Sequence, residues 1–532
     1  MRCDIAIIGG GLGGIGAALA ACELGRRVVL TDATDWLGGQ LTQQAVPLNE
    51  HRWVEFCGCT RSYRRFRAAV RRYYLTHYPL TEAARHTRPS VDLLNPGNAI
   101  KCGLCHEPRV AVAAIEGMLE PYVRSNQLEI LLEHEPVSAD VDGDRVRSIT
   151  LESMVTGEQE VIEFDYVLDA TEAGDLLPLT GTEYITGSEA QSETGEPHAS
   201  MEARPLNIEA VTACFGLDYT PGEDLTIDRP EMYDFWRAYR PEFWPGPFLA
   251  WTDLHPATHE PRYANLFTHQ EHGRMCRGRW LEHRILDRRN FVPESFTSDI
   301  TLVNWPMNSY LLGPVFEVPE DEALTNIEGA KQLSLSLLYW MQTEANRPDG
   351  GLGYPGLGLR MDVVGSEDGL AKHVFLRESR RIRAELTLCE QHLSEENRAE
   401  DDLADAFDDS VGIGYSPILV HPTTEGDNYL YVPVRPFQIP LRALLPVRVE
   451  NLLPAARNLG TTHLTGSSCR PHPVEWNVGE AAGSLAAFCV EHDVVPRAVP
   501  ADGKRLLSFQ SQLARQGFEL DWQRLPVDWN EP

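Results

Sequence analysis

The clearest pattern in the chain is a short apolar run, a group of glycines and an Ala-rich apolar repeat. Ile5-Ala6-Ile7-Ile8 is continuously apolar, as a parallel strand buried on both faces should be. After Gly9 to Gly14, the stretch Ile15 to Leu24 reads as a helix closed by Gly25. Val28-Val29-Leu30 is a second strand ending at Asp32. Residues 50–105 are less regular, with a basic helical stretch around Tyr63 to Tyr74. Pro108 opens a helix from Arg109 to Val123, and Leu128 to Leu132 is the next strand. Val137 to Val141 and Val146 to Leu151 flank Asp142-Gly143-Asp144, which predicts a hairpin. Val161 to Phe164 extends that meander, and Val167-Leu168-Asp169-Ala170 returns to the main sheet.

From about 190 to 425 the texture changes. Tyr233, Phe235, Trp236, Tyr239, Phe243, Trp244, Phe248 and Trp251 cluster among prolines. They predict either a substrate pocket wall or the packed core of a second domain. Long helices are expected at Ile327 to Glu344 and Leu376 to Leu393, and a solvated acidic segment at Ser394 to Asp409. Strand-like runs resume near 426. Asn451 to Ala456 reads as one more buried strand, and Val478 to Val490 as a helix of small residues.

Gly9-Gly10-Gly11-Leu12-Gly13-Gly14 satisfies G-x-G-x-x-G. Alone the match is weak. Here it follows a strand, opens a helix and precedes a second strand whose terminal acid, Asp32, lies 18 residues past Gly14. Such glycines let backbone approach a pyrophosphate at a helix N-terminus, and Asp32 is placed to accept hydrogen bonds from a ribose. A glycine turn that binds nothing is the alternative, and the full context disfavours it.

Three further stretches bear on the cofactor. They are Trp36-Leu37-Gly38-Gly39-Gln40-Leu41-Thr42, Val167 to Asp175, and Asn451 to Asn458 with Gly479-Glu480-Ala481-Ala482-Gly483. Other blocks accompany them: Asn95-Pro96-Gly97, Cys105-His106-Glu107-Pro108, Asn304-Trp305-Pro306, Arg377 to Arg381 and Ile439 to Arg442. Together they resemble the FAD-dependent oxidoreductase family related to the fumarate reductase and L-aspartate oxidase flavoproteins. The resemblance implies an α/β fold: a discontinuous, glutathione-reductase-like Rossmann-type FAD-binding domain over 1–190 plus 426–495. An α+β cap or substrate domain over 191–425 would be inserted in it, with a C-terminal tail at 496–532. FAD would be held by Gly9, Gly11, Gly14, Asp32, Gly38, Gly39, Gln40, Val137, Ala170, Asn458, Ala481 and Ala482. The implied reaction is oxidation of a small organic substrate at a CH–OH, CH–NH or CH–CH unit, by hydride transfer to flavin N5. No second strand–glycine–helix unit appears, since Gly350 to Gly358 has no apolar strand before it. The expected acceptor is therefore oxygen or another species other than NAD(P).

Proton handling points to His463 to Asn477, which links the last expected strand to the last helix of the FAD domain. His472 is the candidate general base, Arg470 the candidate anion holder, and His463 a third catalytic candidate. The bland alternative is that all three only brace the flavin and the loop. Arg377, Arg380 and Arg381 would share one face of the expected helix. A structural ion-pair network is favoured there over an anion clamp. Cys57, Cys59, Cys102 and Cys105 total four thiols, but C-x-C pairs poorly with C-x-x-C and 42 residues separate them. No metal is expected; a redox thiol pair is the other functional alternative, and buried or incidental cysteines are favoured over both.

Composition narrows the partners. The formal net charge of -31, from 78 acidic against 47 basic residues, opposes nucleic acid and anionic membranes. Only Lys101, Lys331, Lys372 and Lys504 are lysines. No run of about 18 apolar residues suits a membrane span, and no cleavable leader is evident, so a cytoplasmic location is the default. A small-molecule substrate is the expected partner; oligomeric state is not legible. Rival readings are a tRNA-modifying flavoprotein, an electron-carrier or binding subunit without its own substrate, and a monooxygenase. The first rests only on the basic stretch Arg61 to Arg72.

Overall fold

A computed structural model describes residues 1–86, 93–271, 274–398 and 403–522 of the chain. Strand β1 (Ile5–Ile8) is buried at every position. It lies mid-sheet with β2 (Val28–Asp32), β3 (Leu128–Leu132), β4 (Tyr166–Asp169) and β5 (Leu452–Pro454), in the order β5-β4-β1-β2-β3. All these pairings are parallel. Ile8 is in register with Thr31 and with Asp169, and Pro454 also meets Asp169. The carboxyl ends therefore align, and Gly9, Ala170 and Ala455 leave the sheet along one edge, where ligands of such folds sit. The expected meander is present as His134–Asp142, Arg145–Ser153 and Gln159–Glu163, an antiparallel sheet turned at Gly143.

Helix α1 (Leu12–Glu23) crosses α2 (His472–His492) closely enough that a Cβ on Gly479 would run into the Gly13 carbonyl. The helix α2 is buried from His472 through Cys489. It begins at His472 rather than near Val478. Pro473 falls in its first turn, where the missing N–H leaves no bond unmade. The expected link from His463 to Asn477 is thus a short helix, His463–Cys469, followed by the opening of α2. As a result Ala481 and Ala482 lie in the third turn of α2, not at its N-terminus.

The middle of the chain adds a four-stranded antiparallel sheet, ordered Arg284–Leu286, Ile300–Val303, Phe215–Tyr219 and Leu357–Leu359. The helix Glu320–Thr343 starts earlier than expected, with Glu320, Asp321 and Glu322 placed where its dipole favours negative charge. Tyr233, Trp236, Trp244, Phe248 and Trp251 pack with Trp305 and Trp340 in a second core. The packed-core reading of the aromatic segment therefore holds.

The helix expected over Leu376 to Leu393 is absent. That stretch instead feeds its backbone donors to distant carbonyls: Arg380 N–H to Ala173, Ile382 to Asn458, Glu385 to Leu445 and Leu388 to Gly460. Within it, Arg381–Ile382 pairs with Tyr184–Ile185, and only Glu390–Leu393 is helical. Tertiary pairing overrode a sequence of good helix formers. Part of the acidic segment, 399–402, lies outside the described residues. The tail contains a helix, Gly503–Gln516, whose Phe509 packs 5.3 Å from Phe488 of α2. Among the described residues no helix is long and apolar enough to cross a membrane.

Candidate functional site

Two adjoining features make the site: a glycine-walled groove at the sheet edge and a charged cavity beside it. In the groove, α1 starts at Gly11 with no side chain capping it. Gly9 has φ +110° and packs against the Ala170 carbonyl, and a Cβ on Gly14 would strike the Gly9 oxygen. Asp32 accepts a hydrogen bond from Gly10 N–H at 3.0 Å and others from Thr34 and Gln43. Burial pushes its carboxyl up to about 6 despite those donors. Gly38 and Gly39, both with positive φ, bring the next turn against Gly11. Asn458 ties the strand ends together, donating to Asp169 O at 3.0 Å and accepting from Ala456 N–H.

What fills this groove is side-chain ends, not backbone. The Glu172 carboxylate reaches between Gly11 and Gly39 and pairs with Arg457. The Glu475 carboxylate pairs with Gln40. Meanwhile both amide atoms of Gln44, Nε2 of His472 and Nε of Arg457 are buried with no hydrogen-bond partner. Orphaned polar groups and an uncapped helix start fit a dinucleotide, and Glu172 and Glu475 are the carboxylates that stand against Gly11 where it would pass. Val137 is 39% exposed at a register shift of the meander, whose first strand follows Glu133, bonded to the Thr34 carbonyl just past Asp32.

The cavity measures about 380 Å³ and meets the groove at Gln40, whose amide also approaches the Arg470 carbonyl at 3.4 Å. Val46 to Asn49, Lys101, Glu282, His283, Asn304 to Pro306, Arg377, Leu419, His421, Tyr429 and Arg470 line it, with Arg262. Its cations are unevenly answered. Lys101 pairs with Glu282 at 2.8 Å and Arg470 with Glu209 at 2.9 Å. Arg262 shares Asp253 with Arg279. Arg377 has no ion pair among the described residues: it donates to Ala210 O and, at 3.2 Å, to Asn304 Oδ1. Burial and the neighbouring Arg470 lower Arg377 to about 10. Burial, then Arg377 and Arg470, holds the His421 imidazole well below its usual range, and its Nδ1 is buried without a partner.

The three residues expected at the proton-transfer wall do not converge. Arg470 reaches the cavity. His472 is fully buried, and its Nδ1 accepts the Asn49 N–H at 2.8 Å, which leaves the proton of the neutral ring on Nε2. Burial, with His106 and Arg457 nearby, lowers it to about 3. A neutral ring with Nε2–H is a donor, and the general-base role does not suit this geometry. His463 faces away. Its Nδ1 lies 3.0 Å from Glu378, and it lines a different cavity. Burial opposes both charges of that pair, yet their mutual attraction raises His463 and, with Arg381, brings Glu378 down to about 2.

Arg380 pairs with Asp175 and Glu317, and Arg381 with Glu189 and Glu378, so two of the three clustered arginines are structural. Arg377 is the exception. Sequence reasoning missed Lys101, Arg262, His283, His421 and Tyr429 at the cavity and Glu172 and Arg457 at the groove; Glu475 belongs to the stretch His463 to Asn477 that it singled out. One signal was available: the blocks around Gln40, Asn304 and Arg377 recur in the wall, and Lys101 directly precedes the Cys102–Cys105 block. Those two cysteines form a disulfide. Cys57 and Cys59 are free thiols, and among the described residues no group of three or more His, Cys, Asp or Glu gathers to hold a metal.

A family model described as FAD dependent oxidoreductase matches residues 4–513. No curated protein matches the chain. Among solved structures, p-nitrophenol 4-monooxygenase from Pseudomonas putida DLL-E4 is 14% identical, with 41% of this chain and 48% of that chain covered, at a TM-score of 0.22. The chain thus spans about half the length of that structure. The Escherichia coli quinol fumarate reductase subunit, in a form carrying a point mutation, is 11% identical over 97% of this chain and 74% of its own, at a TM-score of 0.29. Glycerol-3-phosphate dehydrogenase from Bacillus halodurans, complexed with FAD, is 14% identical over 41% and 40%, at a TM-score of 0.21.

Proposed function

Because the chain belongs to the FAD-dependent oxidoreductase family and FAD is its cofactor, we propose that it oxidises a small organic anion held in the Arg377 cavity. The observation that carries this is that Arg377, buried beside Arg470, has no ion pair of its own among the described residues: it lies over the Phe375 ring at 4.7 Å and feels Glu209, the ion-pair partner of Arg470, only at longer range. A buried cation without a counter-ion is costly, and an anionic substrate supplies the missing partner. In this reading FAD lies along the glycine groove, within a discontinuous domain of 1–190 and 426–495, and residues 191–425 form the cap over the substrate.

FAD, when bound, supplies a two-electron acceptor for the C–H bond that breaks, in a CH–OH, CH–NH or CH–CH unit. The protein's own tasks are orientation and proton handling. Arg377 anchors the anion, and Arg470, fixed by Glu209, sets the other edge. Trp305, Phe375, Leu419 and Tyr429 exclude water from the cavity. His472 Nε2–H and the Gln44 amide offer hydrogen bonds toward the groove. His421, whose buried Nδ1 has no partner, accepts the released proton: burial is the first cause that depresses this imidazole, and an anion between Arg377 and Arg470 offsets the second, the charge of those two arginines. Reoxidation falls to oxygen or another acceptor other than NAD(P). This is supported by the topology, since among the described residues β5-β4-β1-β2-β3 is the only sheet of parallel strands.

The test is anaerobic bleaching of the protein-bound flavin by a panel of small carboxylic acids, each paired with its uncharged amide. Bleaching by acids alone is expected. Equal bleaching by the amides would remove the anion from the reading.

A further inference from the structure

The loop that follows β2, Asp32 to Gln44, is gripped by a strap from the middle of the chain, Gly365 to Phe375. One edge of the strap is tied to the chain leading into the strand Phe215–Tyr219. Ala371 N–H donates to the Cys214 carbonyl and Phe375 N–H to the Thr212 carbonyl, each at 2.7 Å. The other edge meets the loop at two places. His373 N–H donates to the Gln43 carbonyl at 3.0 Å. The Lys372 ammonium pairs with Asp35 at 2.9 Å and stands 5.0 Å from the centroid of the Trp36 ring. Gly365, with φ +71°, packs so closely on that ring that a Cβ would overlap it.

Inside the loop both contacts lead to Asp32. Gln43 Nε2 donates to Asp32 Oδ2 at 3.3 Å. Thr34 N–H donates to Asp32 Oδ1 at 2.8 Å, and the Thr34 hydroxyl accepts the Trp36 N–H at 3.2 Å. The carboxylate is thus oriented by residues that the strap holds from both ends of the loop. Lys372 is one of only four lysines, and its side chain is 16% exposed, so little of its length reaches solvent. Arg109 stands over the same ring at 5.8 Å but has no ion pair with the loop among the described residues.

We infer that Lys372 is a positioning residue for the cofactor. By clamping Asp35 and Trp36 it holds the Asp32 loop in the shape that receives the adenosine half of FAD, and it slows the release of FAD. A loop already held in its bound shape spares the cost of ordering it when the ligand arrives. The inference rests on the reading that FAD lies along the glycine groove with Asp32 at the ribose. It adds that the strap, which belongs to the middle of the chain, is part of the lock on the cofactor.

The rate of FAD release from the FAD-loaded protein, followed by free-flavin fluorescence after dilution, tests this. Lys372→Met should release FAD about 10-fold faster, the combined worth of a part-exposed ion pair and one cation–π contact. Its far-ultraviolet circular dichroism should match wild type. Lys372→Arg keeps both contacts and should release FAD at nearly the wild-type rate. Added salt should speed release from wild type more than from Lys372→Met, because only the wild-type clamp contains the ion pair that salt screens. Release from Lys372→Met at the wild-type rate, equally fast release from Lys372→Arg, or an equal salt response would each overturn the inference. Asp32→Ala separates it from the groove reading. Fast release from Asp32→Ala with wild-type release from Lys372→Met would sink the strap alone. Asp32→Ala that holds FAD as tightly as wild type would sink the groove reading, and the strap with it.

Discussion

The seam between α1 and α2 and the cavity around Arg377 hold together in opposite ways. The seam is glycine against backbone: Gly13 and Gly479 remove side chains so that two helices can touch. The cavity is side chain against side chain, with arginines reaching in from three distant segments and each demanding an answer to its charge. A seam made of absences tolerates no addition. A cavity made of charges tolerates loss unevenly, according to whether the removed group leaves a partner stranded.

The largest effect should come from adding bulk to the seam. In Gly479→Val the new Cβ meets the Gly13 carbonyl, which belongs to a helix and cannot give way cheaply. Overpacking of this kind costs about 3 kcal/mol or more, and soluble, flavin-containing protein should be largely lost. A thermal unfolding midpoint near wild type would show that the helices do not cross where the seam places them. Gly11→Val is the sharper companion. Its Cβ comes close only to a side-chain end, Glu172 Oε1 at 2.9 Å, with Glu475 Oε1 at 3.7 Å and the Ala170 carbonyl at 3.9 Å in ordinary contact. The fold should persist while FAD is lost, so the purified variant should be colourless with native circular dichroism. A fully yellow Gly11→Val protein would mean that the pyrophosphate does not pass this residue.

Within the cavity the comparison turns on two neighbouring arginines. Arg470→Met leaves Glu209 buried, 2% exposed, without its ion pair. Breaking such a pair costs about 3 kcal/mol or more, visible as a lowered denaturation midpoint at equal FAD content. Arg377→Met strands no carboxylate and should leave stability near wild type. Its cost should appear in substrate binding instead, as a KM raised about 10- to 100-fold, the worth of one charge-assisted hydrogen bond. If both variants lose stability equally, Arg377 has a counter-ion in solution and the anion reading loses its support.

The same contrast explains what was legible in the sequence. The nucleotide-binding sheet is coded locally: an apolar run, glycines at fixed offsets and an acid at a strand end all lie within the first 32 residues. Even the Gly479 seam has a visible trace, a helix of Gly and Ala. The cavity has no such code. Lys101, Arg262, Asn304, Arg377, His421 and Arg470 are neighbours only after folding, and no spacing rule joins them. The reading of Leu376 to Leu393 failed for a related reason, since its backbone bonds go to carbonyls as far away as Ala173 and Gly460. The sequence singles out His472 as the candidate general base, but its protonation state depends on the Asn49 N–H, which the sequence does not place.

His472 gives the subtlest prediction, because it touches both regions: it opens α2, and its Nδ1 accepts the N–H of Asn49, which lines the cavity. Its Nδ1 is committed to Asn49 and its pKa is about 3 against an ordinary 6.5. The folded ring therefore stays neutral as pH falls through 6.5, while the unfolded chain takes up a proton. The sign follows: a histidine with a lowered folded pKa costs stability progressively between pH 6.5 and about 3, and costs nothing above that window. His472→Gln keeps an acceptor for Asn49 and an N–H for the groove, and it should flatten the stability curve over that acid window. The rate of flavin reduction per bound FAD should show no inflection near 6.5 assignable to this ring, and His472→Gln should retain most of that rate. His472→Leu, which removes the donor, should instead shift the flavin's absorbance and midpoint potential. An inflection near 6.5 that disappears in His472→Gln would restore the ring as a proton acceptor. It would also mean that the Asn49 contact is released during turnover.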